Sequence, residues 1–227
     1  MKLITNNPLA LDSPDYYHPA GTVSDNTTNP NFNKLLYSLF EHKPISVLDL
    51  GCSGGGFIYN CICDGHIAYG LEGSDYSKKN GRACWPLIPE NLLTCDVSKD
   101  FMMIDDEDKI IKFDAITMWD VLEHFKENEL PVLFNNINKH LKDSGIFFAS
   151  IAMIPDIYNP VHQTVKDHKW WLEILQENGF KPDIEVNKVI KNNFLRNPYP
   201  QESQHYEDGI FIGSDIFCSA YRKTTCI

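Results

Sequence analysis

Carboxylates and a glycine-rich stretch stand in this chain at spacings that suit the capture of a nucleotide-like ligand. Residues 45–56 read ISVLDLGCSGGG, an apolar run with an acid at Asp49, followed by Gly51, Gly54, Gly55 and Gly56. Glycines there let the backbone turn tightly and approach a ligand with no Cβ in the way. The N–H groups that open the next helix are left for a polar or anionic ligand group. A second apolar run, 67–71, ends in Glu72, an acid suited to accept hydrogen bonds from both hydroxyls of a ribose. A third run leads to Asp96, and a fourth passes through Trp119 to Asp120, with Val121-Leu122-Glu123-His124 behind it. His124 titrates in the range of a general base near neutral pH. Asp120 has two readings, as a group that orients or deprotonates a substrate hydroxyl and as a helix N-cap before Val121.

The elements that position these groups alternate. Ile45 to Leu50 reads as a strand buried on both faces, and further strands fit 67–72, 91–97, 113–120 and 146–151. Between them, helical spacing fits 32–40, the stretch from the glycine turn to about Asp64, a short helix capped by Ser74 or Asp75, and 126–142 with Leu130, Leu133, Phe134, Ile137 and Leu141 facing the sheet. Residues 165–178 read as a helix stopped by Gly179, within which only one of the adjacent Trp170 and Trp171 can face the core. Ile184–Ile190 and 210–221 read as two closing strands joined by a polar loop over 192–208. Such alternation implies a parallel sheet with helices on both faces and right-handed crossovers. Ligands in open sheets of this kind bind beyond the carboxyl ends of the strands, which points to Asp49, Trp119, Asp120, His124 and the loop 152–169, where His162 lies.

Asp49-x-Gly51-x-Ser53-x-Gly55 resembles the first motif of class I S-adenosylmethionine-dependent methyltransferases, with Ser53 in place of the middle glycine. Glu72, Asp96 and the VLEH stretch at 121–124 follow in the order and spacing of that family. The resemblance implies a Rossmann-like, doubly wound, mostly parallel seven-stranded α/β sheet with an antiparallel final strand. It implies S-adenosyl-L-methionine as cofactor, held by Asp49, Gly51, Cys52, Ser53, Gly55, Glu72, Gly73, Asp96, Val97, Trp119 and Asp120. In that pattern Glu72 takes the ribose, while Asp96 takes the adenine amino group with the Val97 backbone beside it. His124, Asp120 and His162 are the catalytic candidates. A dinucleotide fingerprint, G-x-G-x-x-G, would need glycine at Ser53, so an NAD-dependent oxidoreductase is the weaker reading.

Composition narrows the function further. At 227 residues the chain is long enough for one α/β domain, with 31–227 as the core and 1–30, rich in Asn, Asp, Pro, Ser and Thr, as an irregular segment or a lid over the cofactor. A net charge of −11 and the lack of any basic run argue against a nucleic-acid partner. Seven cysteines with no C-x-x-C pair read as thiols of a reducing compartment. No apolar run is long enough to span a bilayer, and the N-terminus lacks a signal-peptide layout, so a cytoplasmic protein with no membrane partner is expected. His162 and His168 have no second ligand at metal-binding spacing, so no metal is expected. The D/N-P-P-Y/F segment of base- and amide-methylating relatives is absent after the fourth strand; the nearest match, Asn197-Pro198-Tyr199, falls late in the chain. The sequence therefore points to O-methylation of a hydroxyl on a small acceptor, such as a sugar or glycan. A fold that binds the cofactor or a partner without turnover is the alternative.

Overall fold

The computed structural model describes residues 1–155, 161–191, 193–196, 205–207, 210–213 and 215–224, with the backbone alone for 205–207 and 211. Strands, in chain order, are β1 (Lys2–Thr5), β2 (Ser46–Leu50), β3 (Ile67–Glu72), β4 (Leu92–Thr94), β5 (Phe101–Ile104), β6 (Phe113–Trp119), β7 (Leu141–Ala152), β8 (Phe180–Pro182), β9 (His205–Glu207), β10 (Ile210–Ile212) and β11 (Ile216–Lys223). Helices are α1 (Pro14–Tyr17), α2 (Ala20–Ser24), α3 (Pro30–Ser38), α4 (Gly56–Cys63), α5 (Tyr76–Lys79), α6 (Leu130–His140), α7 (His168–Glu177) and α8 (Ile184–Ile190), and a 3-10 turn spans Leu122–His124.

The main sheet runs β4-β3-β2-β6-β7-β11-β10-β9. β4, β3, β2, β6 and β7 are mutually parallel, and β11 lies antiparallel to β7. The seven strands from β4 to β10 are the Rossmann-like sheet expected; β9 extends its edge and β8 pairs with the far end of β11. Side chains alternate between two cores along each strand. Leu48, Ile116 and Phe147 enter one with Leu133, Phe134 and Trp171, while Val47, Ala115 and Phe148 enter the other with Phe32, Leu36, Phe57 and Val186. Trp171 is thus the inward tryptophan of the pair, and Trp170 sits under the Lys166 ammonium, 5.2 Å from its ring centroid. No helix among the described residues is long and apolar enough to cross a membrane.

Two expectations change. Residues 210–221 are not a single strand but the antiparallel pair β10 and β11. Ile184–Ile190 is helix α8, not a strand. Asp183 caps it by accepting from the Val186 N–H at 3.1 Å, and Val186 and Ile190, one turn apart, face the core. Asn187 explains why a helix fits there: its Oδ1 accepts from the Ala220 N–H at 2.8 Å and its Nδ2 donates to the Ala220 carbonyl at 3.3 Å. The amide thereby fills the stretch of the β11 edge left between β10 and β8. The N-terminal residues, in turn, carry β1, α1 and α2. β1 pairs antiparallel with β5, and the Asp96 N–H donates to the Asn7 carbonyl at 2.9 Å.

His140, at the end of α6, is fully buried and stacked on Phe101. Its Nε2 accepts from the Met103 N–H (3.0 Å) and its Nδ1–H donates to the Asn136 carbonyl (2.8 Å), so it must be neutral. Burial, with the Lys139 charge, lowers its pKa to about 4. Between about pH 6.5 and 4 the unfolded chain binds a proton that the folded chain refuses, so stability falls as pH drops through that window, by at most about 3 kcal/mol. Urea denaturation at pH 7 and pH 4.5 should show this loss in the wild type and a smaller one in His140→Gln; equal losses would contradict the assignment.

Candidate active site

The turn after β2 is shaped by contacts that leave no room for side chains. Gly51 has φ +84, and a Cβ there would lie 2.5 Å from Val121 Cγ2. Gly55, at φ +79, would meet Leu92 Cδ1 at the same distance. The first of these brings the Asp120–His124 segment directly against the turn. Ser53, the departure from the glycine pattern, also has a left-handed φ of +45, at a cost of roughly 1–2 kcal/mol for a residue with a Cβ. Its bonds offset that cost. Its N–H donates to Glu72 Oε2 (2.8 Å), its carbonyl accepts from Trp85 Nε1 (2.8 Å), and its hydroxyl lies between the carbonyls of Gly21 (3.1 Å) and Asp25 (3.0 Å).

Glu72 is buried at the carboxyl end of β3 and is not a solvated strand-end charge. Besides Ser53, it accepts from the Ser74 N–H (3.1 Å) and the Thr22 hydroxyl (3.2 Å). Burial raises its pKa, against the pull of the Ser74 and Ser53 N–H groups. The Thr22 bond ties the N-terminal segment down over the site. Other ties are the Ala10 N–H on the Gly73 carbonyl (2.9 Å), Ser77 Oγ on the Thr22 carbonyl (3.0 Å), and Arg82 and Arg196 on the carbonyl and carboxylate of Asp25.

Under this cover lies a cavity of about 970 Å³ including its open mouth. Gly51, Ser53, Glu72, Gly73, Asp96 and Val97 form one side of it, and Trp119, Asp120 and His124 another. Asp49 and Cys52 instead line a smaller adjoining hollow, and Gly55 lines neither. Asp49 is held beneath the turn by the Thr117 hydroxyl (2.6 Å), and burial pushes its pKa up to about 7. Asp96 Oδ1 accepts from the N–H (3.0 Å) and hydroxyl (2.7 Å) of Ser98, so its turn-forming role and its place on the cavity wall coexist. The Trp119 indole N–H is buried with no hydrogen-bond partner among the described residues. Thr22, Asp15, Gln163 and Arg196 also line the cavity, and nothing in their local sequence signals it.

The far side gathers titratable groups. Asp120 does not cap the 3-10 turn, whose N-cap residue is Val121. Its carboxylate accepts from the Ser150 hydroxyl (2.6 Å), with Arg196 Nε at 3.9 Å, and burial raises its pKa. His124 Nδ1 abuts the Asp15 carboxylate of the N-terminal segment. Burial lowers the His124 pKa, but the Asp15 bond and the charges of Glu123, Asp15 and Asp120 outweigh it and raise the value to about 9. Glu123 is fully buried, and burial raises its carboxyl to about 8. The Glu123 carbonyl accepts from the N–H groups of Gln163 (2.8 Å) and Thr164 (3.0 Å), which brings the His162 ring to 5.1 Å from that of His124. His162 is off the cavity wall. Sequence spacing gave it no metal-binding neighbours, whereas the fold places Glu123 and His124 beside it. Residues 156–160 of the 152–169 loop, and Asn197-Pro198-Tyr199, lie outside the described residues.

An open, mostly parallel sheet with an acid-lined cavity beyond the carboxyl ends of β2, β3 and β6 defines a Rossmann-like ligand-binding protein. The family described as "Methyltransferase domain" matches residues 29–205, and the chain belongs to it. Among solved structures, 1,6-didemethyltoxoflavin-N1-methyltransferase of Burkholderia thailandensis, with S-adenosylhomocysteine bound, has a TM-score of 0.58 at 14% identity over 92% of this chain and 84% of its own. A TehB-like SAM-dependent methyltransferase of Corynebacterium glutamicum gives 0.54 at 16% over 92% and 94%, and the N-methyltransferase NodS of Bradyrhizobium japonicum gives 0.53 at 14% over 93% and 99%. At such identities the likeness concerns the fold. No curated protein matches the chain.

Ser53→Gly removes both the left-handed strain, roughly 1–2 kcal/mol, and the hydroxyl whose single O–H bonds the Gly21 or the Asp25 carbonyl. Limited proteolysis within residues 19–29 should accelerate several-fold while the melting temperature shifts by only a few degrees. Unchanged cleavage would show that the serine does not hold the cover.

Proposed function

We propose that this methyltransferase uses S-adenosylmethionine to methylate a hydroxyl oxygen of a small polyhydroxylated acceptor, a sugar or glycan. The observation that carries the reading is the far wall of the cavity, where Asp120 and His124 stand side by side. Asp120 accepts from Ser150 with Arg196 nearby, and His124 abuts Asp15.

The residues present fit the cofactor. Glu72 would take a ribose diol with its acceptor-only carboxylate, Asp96 and the Val97 backbone would take the adenine edge, and the turn at Gly51 to Ser53 would hold the rest of the nucleoside. The Trp119 N–H, buried without a partner among the described residues, could donate to a polar group of the bound cofactor. Bound S-adenosylmethionine supplies an electrophilic methyl group on a sulfonium. The role left to the chain would be to position the acceptor oxygen for displacement at that methyl group. A hydroxyl must lose its proton as it is methylated, and Asp120 accepts that proton while His124, set by Asp15, fixes the oxygen. The His162 ring lies 5.1 Å from that of His124, off the cavity wall.

Labelled S-adenosylmethionine should transfer label to members of a panel of hydroxylated sugars, with phenols and quinols as comparisons, and Asp120→Asn should lower kcat by about 10²-fold or more. Label appearing only in nucleic acid or protein would sink the hydroxyl reading. In a thermal-shift titration S-adenosylhomocysteine should raise the melting temperature and NADH should not. The reverse result would favour an oxidoreductase.

A further inference from the structure

Glu123, His124 and His162 reach one another from two separate segments, and no short motif announces the meeting. A carboxylate oxygen of Glu123 and one ring nitrogen from each histidine lie within 4.8 Å of one another. Each side chain already has its other polar atom engaged. His124 Nδ1 abuts the Asp15 carboxylate, His162 Nδ1 donates to the Ile154 carbonyl (2.7 Å), and Glu123 Oε1 accepts from the Ala152 N–H (3.0 Å). Among the described residues, Nε2 of both rings and Oε2 of the carboxylate have no hydrogen-bond partner. Glu123 is fully buried, and its Oε2 has no hydrogen-bond partner among the described residues. A buried carboxylate oxygen without a partner is costly, and a cation would supply one. A carboxylate or backbone carbonyl behind the non-ligating nitrogen is also the arrangement that fixes the tautomer of metal-bound imidazoles.

The geometry points to a divalent transition-metal site built by Glu123, His124 and His162 at the edge of the cavity. Two imidazoles and one carboxylate suit Zn²⁺, Fe²⁺, Mn²⁺ or Co²⁺ over the all-oxygen preferences of Mg²⁺ and Ca²⁺. Donors about 2.1 Å from one ion stand about 3.4 Å apart in a tetrahedral site, so the donor atoms, now within 4.8 Å of one another, would draw together around an ion. Three protein ligands leave a coordination position open. His124 belongs to both the cluster and the cavity wall, so that position is within reach of an acceptor oxygen. On the hydroxyl reading above, on which this use of the ion rests, the ion makes the acceptor hydroxyl more acidic. The proton passes to Asp120, the oxygen forms its bond to the methyl carbon as the sulfur–methyl bond breaks, and S-adenosylhomocysteine leaves.

The test is a Co²⁺ titration of the full chain with no donor or acceptor present, followed by visible absorption and equilibrium dialysis. One Co²⁺ should bind per chain, displaceable by Zn²⁺. Glu123→Gln and His162→Ala should each weaken binding at least tenfold while keeping the thermal shift with S-adenosylhomocysteine, which reports an intact fold. No stoichiometric Co²⁺ on the wild type, or unchanged binding in both variants, overturns the site. Metal occupancy is read without methyl transfer, so its failure leaves the hydroxyl reading to stand or fall on the labelled panel.

Discussion

The carboxylate of Glu72 is the constraint on which the site depends. An ionised carboxylate taken out of water is costly unless donors surround it, and here they come from three places: Ser53 in the glycine turn, Ser74 just past β3, and Thr22 in the N-terminal segment. One buried group thus fixes the turn, the strand end and the cover relative to one another. The same acceptor oxygens are what a ribose diol would seek. Ligand hydroxyls and protein donors therefore compete for Glu72, and the contact with Thr22 is the longest of the three.

The N-terminal segment connects this donor side to the acceptor side. Thr22 reaches Glu72, Asp15 reaches His124, and Asp25 pairs with Arg196 at 2.7 Å, whose guanidinium also approaches Asp120. Lifting the segment would strip a partner from Glu72 and His124 together and loosen Arg196 behind Asp120. On the proposed reading, the groups this cover contacts are those that would take the ribose, the proton and the acceptor oxygen.

What the sequence made legible is what local rules govern. The apolar runs at Ile45–Leu50, 67–72 and 113–119 read as strands of a buried sheet, and the glycines at 51 and 55 marked turns where a Cβ has no space. Ile184–Ile190 misled because I-E-V-N-K-V-I alternates like a strand. What decides for helix is the Asp183 cap together with Asn187 pairing with Ala220 from the far end of the chain. For residues 1–29 the sequence left an irregular segment and a lid side by side, since the contacts that order them are to Glu72, Ser77, Arg82 and Arg196, none of them near in sequence. Arg196, Asp15 and the approach of His162 to Glu123 and His124 are products of tertiary structure with no spacing signature. Ser53 read as a mild exchange of one small residue for another, yet its hydroxyl has a task that glycine could not perform.

A crystal structure with S-adenosylhomocysteine bound tests the central claim most directly. Both ribose hydroxyls should lie within hydrogen-bond distance of the Glu72 carboxylate, with the adenine edge at Asp96 and the N-terminal segment closed over the nucleoside. A nucleoside bound elsewhere, with Glu72 still held by Ser53, Ser74 and Thr22 alone, would contradict the account.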